Sequence, residues 1–241
     1  MEIRLQKDMK LLIKFLKEHC TPQGEVFCGG RQPGKFNILL LADSRGPDIY
    51  IALKAAYPDA NIQTSYASGC APVFSPSIGS SPFFADCPQL NEERLKIALD
   101  APAGDIIFLA QNLNDWRSAA VLETVKRLRE AGKTVYLLGQ FKFVEERSPI
   151  ELSIDMLRFD PEGTNFEKYV IANPFEMDEE YADQVRGMGA VYISNKGFFY
   201  DGGYHFTDRK TGKFLTFDGR HLNSFGAGKF GIYLRENYPL Q

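Results

Sequence analysis

Three polar loops in the sequence carry side chains that could together perform acyl transfer. Ser44 lies in "LLLADSRG", Asn112 and Asn114 lie in "QNLNDW", and Asp218 and His221 lie in "FDGRHLNSFGAG". An acyl-transfer site needs a nucleophilic hydroxyl, a base that takes its proton, a carboxylate that orients the base, and hydrogen-bond donors for the oxyanion. The three loops contain all four kinds of group, so they predict a serine-dependent acyl-transfer site.

The roles within this site follow from residue type and spacing. His221 is the best candidate for the base, because His19 lies in an N-terminal helical pattern and His205 lies in a predicted hairpin without a matched partner. Asp218 stands three residues before His221 and can turn back to the second imidazole nitrogen. The N–H of Ser44 precedes a predicted helix, where a developing oxyanion is favoured.

Each loop also has a simpler interpretation. Ser44 could cap a helix, the two asparagines could form turns, and His221 could be a surface residue at a helix start. An α/β-hydrolase is a further alternative, because "ADSRG" is close to Gly-x-Ser-x-Gly, although several strands precede the nucleophile in that fold. A domain that binds glycans or partners with a decayed site is the non-enzymatic alternative.

Short apolar runs alternate with helical patterns along the chain, as expected for a parallel sheet with helices on both faces. Strands are predicted at 36–42, 61–67, 105–110, 134–140 and 190–194, and helices at 47–57, 91–99, 117–132 and 221–237. The sequence therefore predicts a single-domain, doubly wound α/β fold of three layers. Loops at the carboxyl ends of such strands line one crevice, which would bring the three polar loops together.

The sequence also predicts a division of the chain into two parts and two further features of the second part. Residues 1–35 form an N-terminal extension with an amphipathic helix, and 36–241 form the catalytic domain. Residues 141–176 are interpreted as an insertion over the site, and 197–217 as a hairpin that turns near Thr211 and Gly212.

Composition excludes several classes of function. A formal net charge of -3 gives no basic surface for nucleic acid, so no nucleic-acid partner is expected. The longest apolar run, "ILLLA", is too short to span a bilayer, and the charged N-terminus lacks the apolar region of a signal peptide. The predicted chemistry uses groups of the protein itself, so we expect no cofactor and no metal.

The four cysteines allow three pairings. The sequential pairing, Cys20 with Cys28 and Cys70 with Cys87, closes two short loops, and the second loop is rich in serine and proline. Free thiols are the alternative, and a metal site is disfavoured because no pair has Cys-x-x-Cys spacing. Disulfides would place the domain in an oxidising compartment, and without an export signal the chain would be part of a longer exported or membrane-anchored protein.

The outer two loops resemble conserved blocks of the SGNH, or GDSL-type, hydrolases. In that family Gly-Asp-Ser follows the first strand, and "LLLADSRG" matches it at Asp43 and Ser44. Asp-x-x-His near the C-terminus matches "DGRHLN" at Asp218 and His221. The resemblance extends from 36 to about 233 and implies the family's fold, with Ser44, His221 and Asp218 as a catalytic triad.

The middle blocks of the family match more loosely. Gly69 in "YASGCAPVF" aligns best with the glycine of the second block, whose N–H is an oxyanion donor. In "DIIFLAQNLND" the third block places Asn114 on the oxyanion asparagine and Asn112 on the family's glycine. Two features depart from the family pattern. Ala42 and Asn112 replace glycines, and Arg45 occupies a position where many relatives carry other residues, so we expect it to tune substrate charge.

A narrower resemblance concerns "SGCAPV", the following "DC" and "FDGRHLNSFGAGKF". These segments are similar to the extracytoplasmic SGNH domains fused to membrane acyltransferase-three proteins, which take part in O-acetylation of cell-surface polysaccharides. The resemblance implies an O-acetyltransferase domain or an acetylesterase, with an acyl donor and a carbohydrate acceptor as partners. It also implies a periplasmic location and a membrane acyltransferase domain in the same or a partner chain.

Overall fold

A computed structural model describes residues 29–74, 86–111, 115–139, 176–201, 205–216 and 219–240. In this part of the chain, five strands form one sheet: β1 (Asn37–Ala42), β2 (Asn61–Tyr66), β3 (Ile106–Ala110), β4 (Thr134–Leu138) and β5 (Val191–Ile193). Six helices accompany them: α1 (Gly46–Ala56), α2 (Cys87–Asp100), α3 (Asp115–Glu130), α4 (Glu176–Gly187), α5 (Lys196–Phe199) and α6 (Ser224–Asn237).

All strand pairs are parallel, and the strand order is β2-β1-β3-β4-β5. β1 is buried along its whole length, which explains why "NILLLA" is uniformly apolar after Asn37. Its last residue, Ala42, is paired with Tyr66 on one side and with Ala110 on the other. The carboxyl ends of β1, β2 and β3 therefore lie side by side.

Alternate residues of the strands supply two separate apolar layers. Ile38, Leu40 and Ala42 face α1 and α6, whereas Leu39 and Leu41 face α2, α3 and α4. This alternation follows from the two-residue period of a strand. The result is the predicted doubly wound sheet between two layers of helices, so the predicted fold class is confirmed.

The predicted strands and helices occur with small shifts at their ends, and one segment differs. Residues 197–199 belong to the short helix α5 rather than to a hairpin. The rest of that hairpin is present in outline: Thr207 and Phe214 form an antiparallel bridge, and Gly212 adopts a positive φ of 65° in the turn. The predicted N-terminal helix lies outside the described residues, as does almost all of the predicted insertion at 141–176.

A helix that spans a bilayer must be both long and apolar. None of the helices in the described ranges is both long enough and apolar enough to do so. The predicted division into an N-terminal extension and a catalytic domain stays a prediction.

Candidate active site

Ser44 lies in the short connection between the end of β1 and the start of α1. Asp43 fixes this connection: its N–H donates to Ala110 O (3.2 Å), and its Oδ1 accepts from the N–H of Arg45 (3.0 Å). The cap position of α1 is Arg45, whose side chain makes no capping bond, and Pro47 stands in the first turn. The interpretation of Ser44 as a helix cap is therefore wrong, because its hydroxyl is directed elsewhere.

The hydroxyl of Ser44 lies 2.9 Å from Nε2 of His221, a residue 177 positions later in the chain. Both side chains are partly exposed, while Asp43 and Leu222 beside them are buried. A serine hydroxyl at this distance from an imidazole nitrogen can pass its proton to that nitrogen during attack on a carbonyl. The structure thus brings together the predicted nucleophile and the predicted base.

The backbone around His221 is held on both sides. Thr216 Oγ1 donates to the carbonyl of His221 (2.6 Å), and the N–H of Leu222 donates to Oδ2 of Asp48 in α1 (2.8 Å). Asn223 then caps α6 by accepting from the N–H of Gly226 (2.8 Å). These bonds hold the backbone of His221 in place and so position its imidazole near the end of β1.

Gly69 lies in the loop that follows β2, and its φ of 76° is in the left-handed region that favours glycine. The loop is tied to β1 because the N–H of Ala67 donates to Ala42 O (3.2 Å). Within the described residues, neither the N–H of Gly69 nor that of Ser44 donates to a protein acceptor. Among the described residues, both are therefore donors without a protein acceptor, and they lie on loops at the same edge of the sheet.

Of the other predicted site residues, the structure describes Arg45 but not the two asparagines or Asp218. Asp218, Asn112 and Asn114 lie outside the described residues, so their roles stay predictions. Arg45 is fully buried at the start of α1, and its assignment to substrate charge also stays a prediction. Within the described residues, no cluster of three or more histidine, cysteine, aspartate or glutamate residues could hold a metal ion.

Sequence reasoning missed three residues that support the site: Asp48, Thr216 and Arg94. Arg94 is a buried charge on α2, where it lies on the same helical face as Leu90. The sequence signal for Arg94 was its position in the helical pattern, where the period predicts an apolar residue and the chain has a charged one. Burial lowers the pKa of Arg94 to about 9, and the charge of Asp43 opposes this shift, so Arg94 is protonated at neutral pH.

Comparison with protein families matches residues 13–231 to the family described as "SGNH domain (fused to AT3 domains)". The chain belongs to this SGNH family. No curated protein matches the sequence of this SGNH domain significantly.

Among solved structures, the periplasmic domain of the lipopolysaccharide acetyltransferase of Salmonella ser. Paratyphi A is similar to this SGNH domain. The TM-score is 0.71 at 17% identity, over 85% of this chain and 84% of the other. At that identity the likeness establishes the shared fold.

Two further structures match this SGNH domain more weakly. A GDSL-like lipase from Bacteroides thetaiotaomicron has a TM-score of 0.45 at 10% identity, over 86% of this chain and 90% of the other. The C-terminal catalytic domain of a Streptococcus pneumoniae peptidoglycan O-acetyltransferase has a TM-score of 0.39 at 12% identity, over 86% and 98%.

Proposed function

We propose that this SGNH domain is a serine-dependent acyl-transfer enzyme acting on ester-linked groups, most specifically the O-acetyl groups of carbohydrate. The observation that carries the proposal is the 2.9 Å contact between Ser44 Oγ and His221 Nε2. Membership of a family whose domains are fused to AT3 domains supports the same reaction class.

In the first half of the reaction, Ser44 Oγ attacks the carbonyl carbon of the acyl donor while His221 Nε2 takes the hydroxyl proton. The carbonyl oxygen becomes an oxyanion. When the tetrahedral intermediate collapses, the bond to the donor's leaving group breaks, and His221 returns the proton to that group. The acyl group is then an ester of Ser44.

In the second half, His221 takes a proton from the acceptor hydroxyl, and the acceptor oxygen attacks the ester carbonyl. Collapse releases the acylated acceptor and restores the hydroxyl of Ser44 with the proton held by His221. A sugar hydroxyl as acceptor makes the domain an O-acetyltransferase, and water makes it an acetylesterase. Asp218 is assigned to the second imidazole nitrogen, where a carboxylate stabilises the imidazolium.

The oxyanion is assigned to the N–H groups of Ser44 and Gly69, with an amide from Asn114 or Asn112 as a third donor. Two observations support the backbone pair: neither N–H donates to a protein acceptor in the described part of the chain, and Gly69 adopts a positive φ. The positive end of α1 adds to the field at this point. Donors already in place stabilise the transition state without reorganisation.

The cellular setting proposed for the domain is extracytoplasmic, beside a membrane acyltransferase domain in the same or a partner chain. The disulfide between Cys70 and Cys87 supports an oxidising compartment. The likeness to a periplasmic lipopolysaccharide acetyltransferase domain suggests polysaccharide as the acceptor class to test.

Replacing the nucleophile tests the function directly. We expect Ser44→Ala to reduce the release of acetate from a small acetyl ester by about 10⁴-fold or more, because the covalent route is lost. Wild-type protein treated with a sulfonyl fluoride should gain one adduct, found at Ser44 by mass spectrometry. An acetylated donor incubated with a glycan acceptor then separates the two products, acetylated glycan and acetate.

Ser224→Ala is the matched control, because Ser224 is an exposed serine at the start of α6. Its turnover and adduct formation should equal those of the wild type. Unchanged turnover in Ser44→Ala would overturn the assignment. A wild-type protein that binds glycans but neither turns over esters nor forms an adduct would favour the non-enzymatic alternative.

A further inference from the structure

Arg94 is one of the largest fully buried side chains, and its guanidinium reaches the carboxyl edge of the sheet from α2. Taking a charge out of water destabilises a protein unless the charged group is well hydrogen-bonded. Nε donates to Ser65 Oγ at the end of β2 (2.9 Å), and Nη1 donates to Asn91 Oδ1 one turn earlier in α2 (3.0 Å). Nη2 also donates to Ser65 O (3.3 Å), and Nη1 lies 3.7 Å from Cys70 Sγ. Two further bonds go to the backbone next to the proposed oxyanion donors.

Two of the three backbone carbonyls that this guanidinium binds lie next to the proposed oxyanion donors. Nη2 donates to Ala42 O (2.8 Å), the last carbonyl of β1, and Nη1 donates to Cys70 O (3.1 Å). Ala42 stands two residues before Ser44, and Cys70 directly follows Gly69. The planar, rigid guanidinium therefore connects the segment that carries one proposed donor to the segment that carries the other.

The loop after β2 is also held by other contacts. At its beginning, the N–H of Ala67 donates to Ala42 O (3.2 Å), and at its far end the N–H of Phe74 donates to Thr124 Oγ1 in α3 (2.8 Å). Asn91 Nδ2 donates to Ala71 O (2.9 Å), and the disulfide joins Cys70 to Cys87 at the start of α2. The contacts of Asn91 and Cys87 attach the loop to α2, whereas the bond of Ala67 attaches only its beginning to β1. Arg94 is the side chain on α2 that also binds the end of β1.

We propose that Arg94 is a positioning residue that sets the separation between the N–H of Ser44 and the N–H of Gly69, so that both reach one oxyanion. This inference rests on the proposed function. Oxyanion donors act when they lie about 3 Å from the position of the charged oxygen, and displacement by about 1 Å costs up to about 10²-fold in rate. A residue that fixes their separation therefore acts on kcat rather than on substrate binding.

Two substitutions of Arg94 test this role. Arg94→Lys keeps the charge but loses the planar fork, and Arg94→Met keeps the length without charge. We expect kcat for a small acetyl ester to fall about 10- to 100-fold in both, with KM changed less than about twofold. A trifluoromethyl ketone, which forms a tetrahedral adduct with a serine, should lose affinity by the same factor as kcat.

Arg129→Lys and Arg129→Met are the matched controls. Arg129 also donates to backbone carbonyls, those of Met188 (3.4 Å) and Lys133, but at the opposite edge of the sheet, before β4 and β5. These variants should lower the thermal midpoint and leave kcat and ketone affinity at wild-type values. Ser65→Ala is a milder variant that removes only the partner of Nε, and it should lower kcat several-fold.

The outcomes separate the two proposals. Arg94 and Ser65 variants that keep wild-type kcat and ketone affinity while folded overturn the positioning role and leave the acyl-transfer function standing. The same holds if they lose activity only in proportion to lost folded protein, as measured by circular dichroism. A wild-type protein without ester turnover and without an adduct at Ser44 overturns both proposals together.

Discussion

At the scale of single residues, the contact between Ser44 and His221 depends on a buried carboxylate, Asp48, that binds the backbone next to His221. Asp48 belongs to the first turn of α1, and both of its oxygens accept backbone N–H groups. Oδ1 accepts from Ile49 (3.1 Å) and Oδ2 from Leu222 (2.8 Å), the residue after His221. Because Asp48 is buried, these bonds are shielded from water, and they fix the loop that carries His221 against α1.

We expect Asp48→Asn to weaken this attachment, because an amide offers one acceptor oxygen where the carboxylate offers two. One buried N–H would face an NH₂ group, which costs about 1–3 kcal/mol and lowers the thermal midpoint by about 3–10 °C. A displaced imidazole should reduce kcat about tenfold. Calorimetry and an ester assay below the midpoint measure the two effects.

The exposed residue Asp59 provides the control, since Asp59→Asn makes the same chemical change at the surface. Its midpoint and kcat should remain those of the wild type. If Asp48→Asn lowers the midpoint but leaves kcat untouched, the attachment of Leu222 stabilises the fold without positioning His221.

At the scale of elements, α1 and α6 position the two halves of the proposed site. α1 begins after Ser44, and α6 begins after His221, so the packing of one helix on the other controls how the two residues meet. The helices approach closely at Gly231. A Cβ built there would lie 2.5 Å from Ala52 O and 2.7 Å from Ala55 Cβ, which is too close for any side chain.

Gly231→Ala should therefore push α6 away from α1. We expect a loss of about 1–3 kcal/mol in the free energy of unfolding, because the nearest atom belongs to the backbone and cannot rotate aside. Ester turnover should fall with it, as the start of α6 moves relative to Ser44. Denaturant unfolding and kcat measured on the same preparation check both effects.

Gly228 lies one turn earlier in α6 and has no atom within 4 Å of a built Cβ. Gly228→Ala should stabilise the protein by about 0.5–1 kcal/mol, because alanine favours the helix. Equal effects of the two substitutions would show that helix propensity, and not the close approach, governs this position.

At the scale of the whole molecule, the features that sequence predicts best are those with a periodic signal. The uniformly apolar run of β1 and its alternation with helical patterns predicted the parallel sheet. That sheet in turn placed Ser44 and His221 at one edge, although 177 positions separate them. The rule that parallel strands share a carboxyl edge predicts the place of Ser44. His221 precedes α6 and does not follow a strand of the described sheet, so its place beside Ser44 was predicted from the residue types and from the family resemblance.

Features that depend on tertiary contacts were not predictable in this way. The helical period indicates that Arg94 faces the core, but the carbonyls it binds belong to segments 52 and 24 residues away. The short helix α5 contains Gly197, which disfavours a helix, and it forms with Phe199 fully buried in the core. In both cases burial decides the structure and the local sequence does not.

The disulfide between Cys70 and Cys87 links stability, activity and compartment. It closes a loop with a sequence separation of 17, which in the chain-entropy model stabilises the fold by about 3 kcal/mol. We expect reduction, or the double substitution Cys70→Ser and Cys87→Ser, to lower the thermal midpoint by about 6–12 °C. Because Gly69 precedes the bridged Cys70, kcat should fall as well.

Adding reductant to the double variant is the control, because any further change in the midpoint or in kcat belongs to the predicted pair Cys20–Cys28 and not to the bridge between Cys70 and Cys87. Differential alkylation of protein taken from intact cells then tests the proposed compartment, since an oxidising one should leave Cys70 and Cys87 protected from alkylation. If both thiols are alkylated in cells and reduced protein keeps its full activity, the bridge supports neither the site nor an extracytoplasmic location. If the bridge is present and its loss lowers kcat, α2 and its disulfide form part of the support on which the loop of Gly69 rests.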